Sequence, residues 1–354
     1  IKQLNHHFRF GTCIKAKYFL ESANDKISES YRKVFQENFN AAVFENAFKW
    51  PQMEKKKGEV SYKLVDAALK WCTDHNIPIR GHCIFWADGR RKSKWVSPLK
   101  KEGLHKAVKT RITRDIARYN NKINEYDVNN EMIHHRFFAD RLGDEVRGNM
   151  FKLTNKIDPN AKLFVNDYSI LSGKRLSDYC KHIKKLINEK APIHGIGCQG
   201  HFKGDIPPIK SIKKNLDRLS KFNLPILITE FDLETKDENR KAKLLENFYR
   251  ICFSHPQVEG IYMWGFWENA HWRPNASIFN KNFTPKKAAE AYRKLVYKEW
   301  WSNVSGTTNK EGSYKARLFY GKYEISVSAN SKKVVKIMNV VPNSKNANIE
   351  IALE

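Results

Sequence analysis

Two glutamates stand out as residues able to do chemistry together. Glu131 closes the run Ile-Asn-Glu-Tyr-Asp-Val-Asn-Asn-Glu (123–131), and Glu230 sits in Leu-Pro-Ile-Leu-Ile-Thr-Glu-Phe-Asp (224–232). Each lies at the end of a run with β character, flanked by polar groups that can orient it. A pair of carboxylates on a rigid scaffold is the minimum apparatus for cleaving a glycosidic bond. One protonates the leaving oxygen while the other attacks the sugar or activates water.

The elements that must bring these two together repeat along the chain. Short β-branched or aromatic runs occupy 8–14, 39–45, 77–86, 123–131, 161–168, 193–202, 225–232 and 258–267. Between them lie helix-compatible stretches at 60–75, 107–121, 144–156, 174–190, 209–222, 241–253 and 285–300. In the first of these, Tyr62, Val65, Ala68, Leu69 and Cys72 form one stripe at helical spacing. Eight βα units in succession predict a closed (β/α)8 TIM barrel, an α/β fold, rather than an open doubly wound sheet. An open sheet calls for a Gly-rich phosphate turn after its first strand, whereas 8–14 runs on into Lys15-Ala-Lys-Tyr. In such a barrel function sits at the C-terminal ends of the strands. The candidates are then Glu45-Asn46, His82 and Trp86, Asn130-Glu131, Asn166-Asp167-Tyr168, Gln199 and His201, Glu230 and Asp232, and Trp264.

Composition bounds the rest. The chain has 354 residues, enough for a barrel of roughly 250–300 residues and an appendage. After Trp300-Trp301 helical periodicity gives way to Gly-punctuated alternation, so 303–354 reads as a small β-sandwich-like module of four or five strands packed on a catalytic domain at 1–302. No apolar run reaches the roughly 18 residues of a membrane span. The chain opens at Ile1 with no basic or apolar leader, as a mature form would. The net charge of +26 is dispersed in short clusters and accompanies no nucleic-acid-binding signature, which points to a Lys-rich solvated surface. Six cysteines show no metal-ligand spacing and read as buried free thiols, with room for one disulfide. Sequons begin at Asn275, Asn282 and Asn303, about the number expected by chance in an Asn-rich chain. No metal or organic cofactor is implied, and the expected state is a monomer.

Seven motifs appear in order on the expected strands: Phe-Glu-Asn-Ala-Phe-Lys-Trp (44–50), Arg-Gly-His-Cys-Ile-Phe-Trp (80–86), Tyr-Asp-Val-Asn-Asn-Glu (126–131), Val-Asn-Asp-Tyr (165–168), Gly-Ile-Gly-Cys-Gln-Gly-His (195–201), Ile-Thr-Glu-Phe-Asp (228–232) and Trp-Gly-Phe-Trp-Glu (264–268). Together they resemble glycoside hydrolase family 10, the retaining endo-β-1,4-xylanases, over about residues 8–300, with wording nearest the plant-type branch. The resemblance implies Glu131 as general acid/base and Glu230 as nucleophile, with carboxyls roughly 5–5.5 Å apart. It implies that His201 and Asp232 hold Glu230 ionised, and that a nearby charge and partial burial raise Glu131. Asn130 would bond the 2-OH of the reacting sugar. Glu45, Asn46 and Lys49 would grip the neighbouring glycone unit, His82 and Gln199 would line the reacting sugar, and Trp264 and Trp272 would pack on sugar faces. Trp86 and Tyr168 complete the expected substrate contacts. Asp127 and Asp167 read as structural hydrogen-bonders.

Two departures qualify the resemblance. Most family members follow the third-strand Trp with His, and here Ala87 stands in its place. The segment 87–98 is also unusually basic, carrying Arg90, Arg91, Lys92 and Lys94. The expected partner is xylan, including glucuronic-acid-substituted xylan, with neither nucleic acid nor membrane as a partner. Rival readings are the same machinery on cellulose or mixed-linkage glucan, and a non-catalytic carbohydrate-binding barrel. Polymeric xylan lies outside cells, which makes the expected location extracellular.

Overall fold

A computed structural model describes residues 1–342 and 349–352. Strand β1 (Lys2–His6) lies outside the barrel. The eight strands that follow close into a parallel barrel: β2 (Arg9–Ile14), β3 (Ala41–Phe44), β4 (Ile79–Trp86), β5 (Glu125–Asn130), β6 (Lys162–Asp167), β7 (Gly195–Lys203), β8 (Ile226–Glu234) and β9 (Val258–Met263). Each falls on one of the eight predicted runs. Covered on both faces, β3 and β5 are buried throughout, and β8 is buried over all but its last residue. Strand β9 stops short of the predicted 267, because Gly265 adopts a φ of +110° and breaks the extended path after Trp264.

Helices α1 (Lys26–Asn38), α2 (Trp50–Met53), α3 (Lys63–Asp74), α4 (Lys101–Tyr119), α5 (Phe137–Leu142), α6 (Val146–Ile157), α7 (Leu176–Asn188), α8 (Ile209–Ser220), α9 (Glu238–Ser254) and α10 (Lys287–Lys294) lie between and after the strands. Helix α1 lies outside the seven predicted helical stretches. Asp25 starts it by accepting from the backbone N–H groups of Ile27 and Ser28, and Ser28, Tyr31, Val34, Phe35 and Asn38 form its buried side. Helix α10 continues into a π-helical turn, Leu295–Glu299.

The N-terminal end of the barrel holds a buried ion network. Arg80 pairs with Glu125 at 3.0 Å and Asp127 at 2.8 Å, and Arg9 pairs with Glu125 and Glu259. A cavity of about 1460 Å³ opens there between α3, α4 and the starts of β4 and β5. This end of a barrel serves stability, and the chemistry belongs at the other.

The C-terminal module is a three-stranded antiparallel sheet in the order β1–β10–β11, with β10 (Gly321–Ala329) and β11 (Lys332–Val340). Its hairpin turns on Asn330 and Ser331, both at positive φ, as a two-residue primed turn requires. One strand comes from the other end of the chain: Gln3 exchanges hydrogen bonds with Ser302 and accepts from Tyr323 Oη at 3.1 Å. Among the described residues after 303 only these two strands form, fewer than the four or five predicted. Both edges of β10 are taken by β1 and β11, and the stretch 312–319 finds no ladder partner. Residues 349–352 form no strand, and the remainder of that predicted run lies outside the described residues.

All six cysteines are free, and five of them are buried. No helix among the described residues is long and apolar enough to cross a membrane.

Candidate active site

Strand register assembles the site. Trp86 on β4 stands opposite Asn130 on β5, and Asn130 opposite Asn166 on β6. Gln199 on β7 faces Glu230 on β8, and His201 faces Asp232 two residues further on. Glu131 follows β5 directly, its N–H donating to the Asn166 carbonyl at 2.9 Å. Its φ of +62° is unusual for a residue with a side chain, and turns the chain so that the His134 and His135 N–H groups return to its own carbonyl.

A continuous line of hydrogen bonds joins the two glutamates. Gln199 Nε2 donates to Glu131 Oε1 at 3.1 Å and reaches Asn130 Oδ1 at 3.5 Å. Asn166 Nδ2 donates both to Asn130 Oδ1 at 2.9 Å and to Glu230 Oε1 at 2.8 Å, while Thr229 Oγ1 donates to Asn166 Oδ1 at 2.6 Å. His201 sits between Glu230 Oε2 at 3.1 Å and Asp232 Oδ2 at 2.9 Å. Trp272 Nε1 closes the line on Asp232 Oδ2 at 2.7 Å. At the other end Trp86 Nε1 donates to Glu131 Oε2 at 2.6 Å. Asn130 Nδ2 is buried with no partner, an amide donor left free for a ligand.

These surroundings drive the two carboxyls apart. Burial raises Glu131 to about 7 against the hydrogen bonds from Trp86 and Gln199, with a smaller push from the Glu230 charge. Burial is thus the larger of the two causes that the sequence predicts. Burial also opposes ionisation of Glu230. There the His201 hydrogen bond and the charges of His82, His201 and Lys49 outweigh it, holding Glu230 below the ordinary carboxyl range. Burial pulls His201 down, yet the Asp232 charge and the bonds to Asp232 and Glu230 carry it up to about 9. One protonated and one ionised glutamate near neutral pH is the division of labour that acid-plus-nucleophile chemistry needs.

The remaining predicted residues surround this line. Lys49 Nζ lies 4.6 Å from the Trp86 ring centre and 5.8 Å from that of Trp264, and bonds Asn46 Oδ1 at 3.0 Å. The His82 ring meets the Trp264 edge at 5.0 Å, and its Nδ1 is held by Asp127 at 2.8 Å. Trp272 is half exposed, whereas Trp264 is 7% exposed. Tyr168 stacks on His134 at 3.5 Å, and His134 is held by Asp167 at 2.5 Å.

Five neighbours are given no role by the sequence reading. Lys15 pairs with Glu45 at 2.6 Å. Asn166, a strand-end candidate without a predicted role, holds Glu230. His135 lies 3.5 Å from Glu131 Oε2 and 4.0 Å from Asp88. Arg273 stacks on Trp272 at 4.2 Å and pairs with Asp232 at 3.4 Å. His271 is buried with Nε2 unpartnered. Strand-end position was the available signal for Lys15 and Asn166; His135, Arg273 and His271 depend on how the loops fold back. Among the described residues no group of three His, Cys, Asp or Glu side chains is arranged to hold a metal ion.

Comparison with known proteins agrees with this geometry. The sequence model described as Glycosyl hydrolase family 10 matches residues 2–295. The chain is 42% identical over 329 residues to the anti-sigma-I factor RsgI6 of Acetivibrio thermocellus, covering 93% of this chain and 42% of that protein. It is 36% identical over 359 residues to endo-1,4-beta-xylanase 1 of Arabidopsis thaliana, covering 100% of this chain and 37% of that protein. The chain therefore spans less than half the length of these curated relatives. The crystal structure of xylanase 10B from Thermotoga petrophila RKU-1 in complex with xylobiose aligns with a TM-score of 0.76 at 24% identity, over 83% of this chain and 95% of that one, a likeness of fold. With the family match running through every strand that builds the site, the chain belongs to glycosyl hydrolase family 10.

Proposed function

We propose that this chain hydrolyses internal β-1,4 linkages of xylan by a retaining double displacement, with Glu131 as acid/base and Glu230 as nucleophile. The observation that carries the reading is the opposed ionisation of two glutamates on one hydrogen-bonded line, Glu131 raised to about 7 and Glu230 lowered. Glu131 protonates the leaving glycosidic oxygen while ionised Glu230 attacks the anomeric carbon. Formation of the glycosyl-enzyme ester removes the Glu230 charge, one of the causes that raises Glu131, so Glu131 becomes a better base for the water that completes turnover. A retaining mechanism requires the two carboxyls to be about 5–5.5 Å apart.

Around them, the free Asn130 amide donates to the 2-OH of the reacting sugar. His82, fixed by Asp127, and Gln199 line that sugar, and His201 and Asp232 keep Glu230 charged. Glu45, Asn46 and Lys49 bind hydroxyls of the next glycone unit, while Trp86, Trp264, Trp272 and Tyr168 supply sugar-facing aromatic surface. The catalytic domain is assigned to 1–302 and an attached β-module to the stretch that begins at 303, with β1 lending that module its third strand. The protein works as a monomer outside the cell, where polymeric xylan is found.

The relatives named as xylanases support xylan over glucan as substrate. The test is reducing-sugar release from glucuronoxylan and from mixed-linkage glucan, with Glu230→Ala beside the wild type. Xylan-selective activity lost in the variant is the expected result. Equal action on glucan replaces it with a broader β-1,4-glycanase, and folded protein inactive on both favours a binding barrel.

A further inference from the structure

The basic segment after β4 carries four cations in four different settings. Arg90 is neutralised: its guanidinium makes three bonds of 2.9–3.1 Å to the carboxylate of Asp88. Lys92 lies over the Phe137 ring at 4.7 Å and bonds the Gly89 carbonyl. Lys94 stands further along, in the next short helical turn, Lys94–Val96. Arg91 is exposed and has no carboxylate within ion-pair distance among the described residues, features it shares with Lys94. It differs from all three in lying against Trp86, 5.4 Å from the centre of the ring.

That ring adjoins the reaction centre, because Trp86 Nε1 donates to Glu131 Oε2. The same ring faces Lys49 at 4.6 Å, and Lys49 likewise has no carboxylate partner among the described residues. Two cations, neither of them in an ion pair among the described residues, thus converge on one indole beside the candidate acid. The acidic groups nearby are already engaged: Asp88 by Arg90 and by His135 at 4.0 Å, Glu131 by Trp86 and Gln199, and Glu230, which feels the Lys49 charge, by Asn166 and His201. Like charges gathered at the rim of a cleft raise the local potential and favour an anionic ligand. A guanidinium held over an aromatic face by a cation–π contact keeps its N–H groups free, in the fork that matches a carboxylate.

We propose that Arg91 is the recognition residue of a subsite for a carboxylate carried on a side group of the polysaccharide, so that uronic-acid-bearing xylan is the preferred substrate. This rests on the xylan-hydrolase reading above. Lys49 stays with the sugar hydroxyls and adds only its field, and Trp86 serves as the platform that fixes the guanidinium.

The experiment compares glucuronoxylan with the same polymer after its carboxyl groups have been reduced to alcohols, so that only the branch charge differs. The wild type should show kcat/KM about three- to fivefold higher on the native polymer at low salt, the scale of one solvent-accessible ion pair. The ratio should fall toward one as salt rises. Arg91→Gln should remove most of the ratio, Arg91→Lys should keep part of it, and Arg90→Gln should retain it. A wild-type ratio of one overturns the subsite and leaves the xylanase reading standing. So does an Arg91→Gln variant that slows both polymers in proportion, since that marks Arg91 as a support for Trp86. Inactivity of the wild type on both polymers overturns the xylanase reading itself.

Discussion

His201 Nε2 lies 3.1 Å from Glu230 Oε2, and the same ring gives its Nδ1 to Asp232, so one imidazole is shared by two carboxylates. Raised to about 9 against the pull of burial, His201 is an imidazolium at neutral pH. A histidine whose folded pKa exceeds its ordinary value of 6.5 contributes stability that is complete below about 6.5 and is lost as pH climbs through about 9. Urea unfolding of the wild type should therefore lose on the order of 1–3 kcal/mol between pH 6.5 and 9.5. His201→Asn should lack that decline. An equal decline in the variant would place its origin elsewhere.

Glu131 sets the alkaline limb of activity. With its carboxyl at about 7, kcat/KM should fall above that pH as the acid loses its proton. The Trp86 bond stabilises the charged form, so removing it raises the pKa. In Trp86→Phe the alkaline limb should move upward, together with a higher KM from loss of the indole. A limb that moves downward would mean that the indole bond is not what restrains Glu131.

Gly197 lies where a side chain would strike the glutamate support. A Cβ there would come 2.6 Å from Asn166 Oδ1 and 2.9 Å from the Val165 carbonyl. Since Asn166 Nδ2 holds Glu230, Gly197→Ala should cost about 1–3 kcal/mol of stability and also lower kcat. Thermal unfolding and kinetics measured on the same preparation test both effects. Unchanged kcat in a folded variant would detach Asn166 from the chemistry.

Asp127 is almost fully buried between Arg80 at 2.8 Å and His82 at 2.8 Å. Its replacement leaves the Arg80 charge short of a partner in the barrel interior. Asp127→Ala should cost about 3–5 kcal/mol by urea unfolding. The freed His82 ring should also weaken substrate binding, read as a rise in KM, since its other neighbours are the Trp264 and Trp86 rings.

Local pattern carried much of this molecule. The eight strands were legible because a barrel strand buried on both faces is a short apolar or β-branched run, and most of them carried a polar residue near the end. Glu131, Glu230, Asn130 and Gln199 could be named from strand ends alone. Helix α1 was less legible, and so was the C-terminal sheet, whose first strand comes from the opposite end of the chain. Alternation marks a strand but does not supply its partner, and 312–319 shows the consequence.

Amino-acid order by itself determined the βα repeat, the two glutamates and their places just after β5 and on β8, because period and strand-end chemistry are properties of short segments. Tertiary structure alone decided which groups each glutamate meets. Inter-strand register set Gln199 against Glu230 and Asn130 against Asn166, and barrel closure buried both carboxyls. The opposed pKa values of Glu131 and Glu230 follow from that burial and from donors scattered over β4, β6 and β7. The pairing of Arg90 and the freedom of Arg91, adjacent in sequence and alike in chemistry, depend on which way one loop turns each side chain.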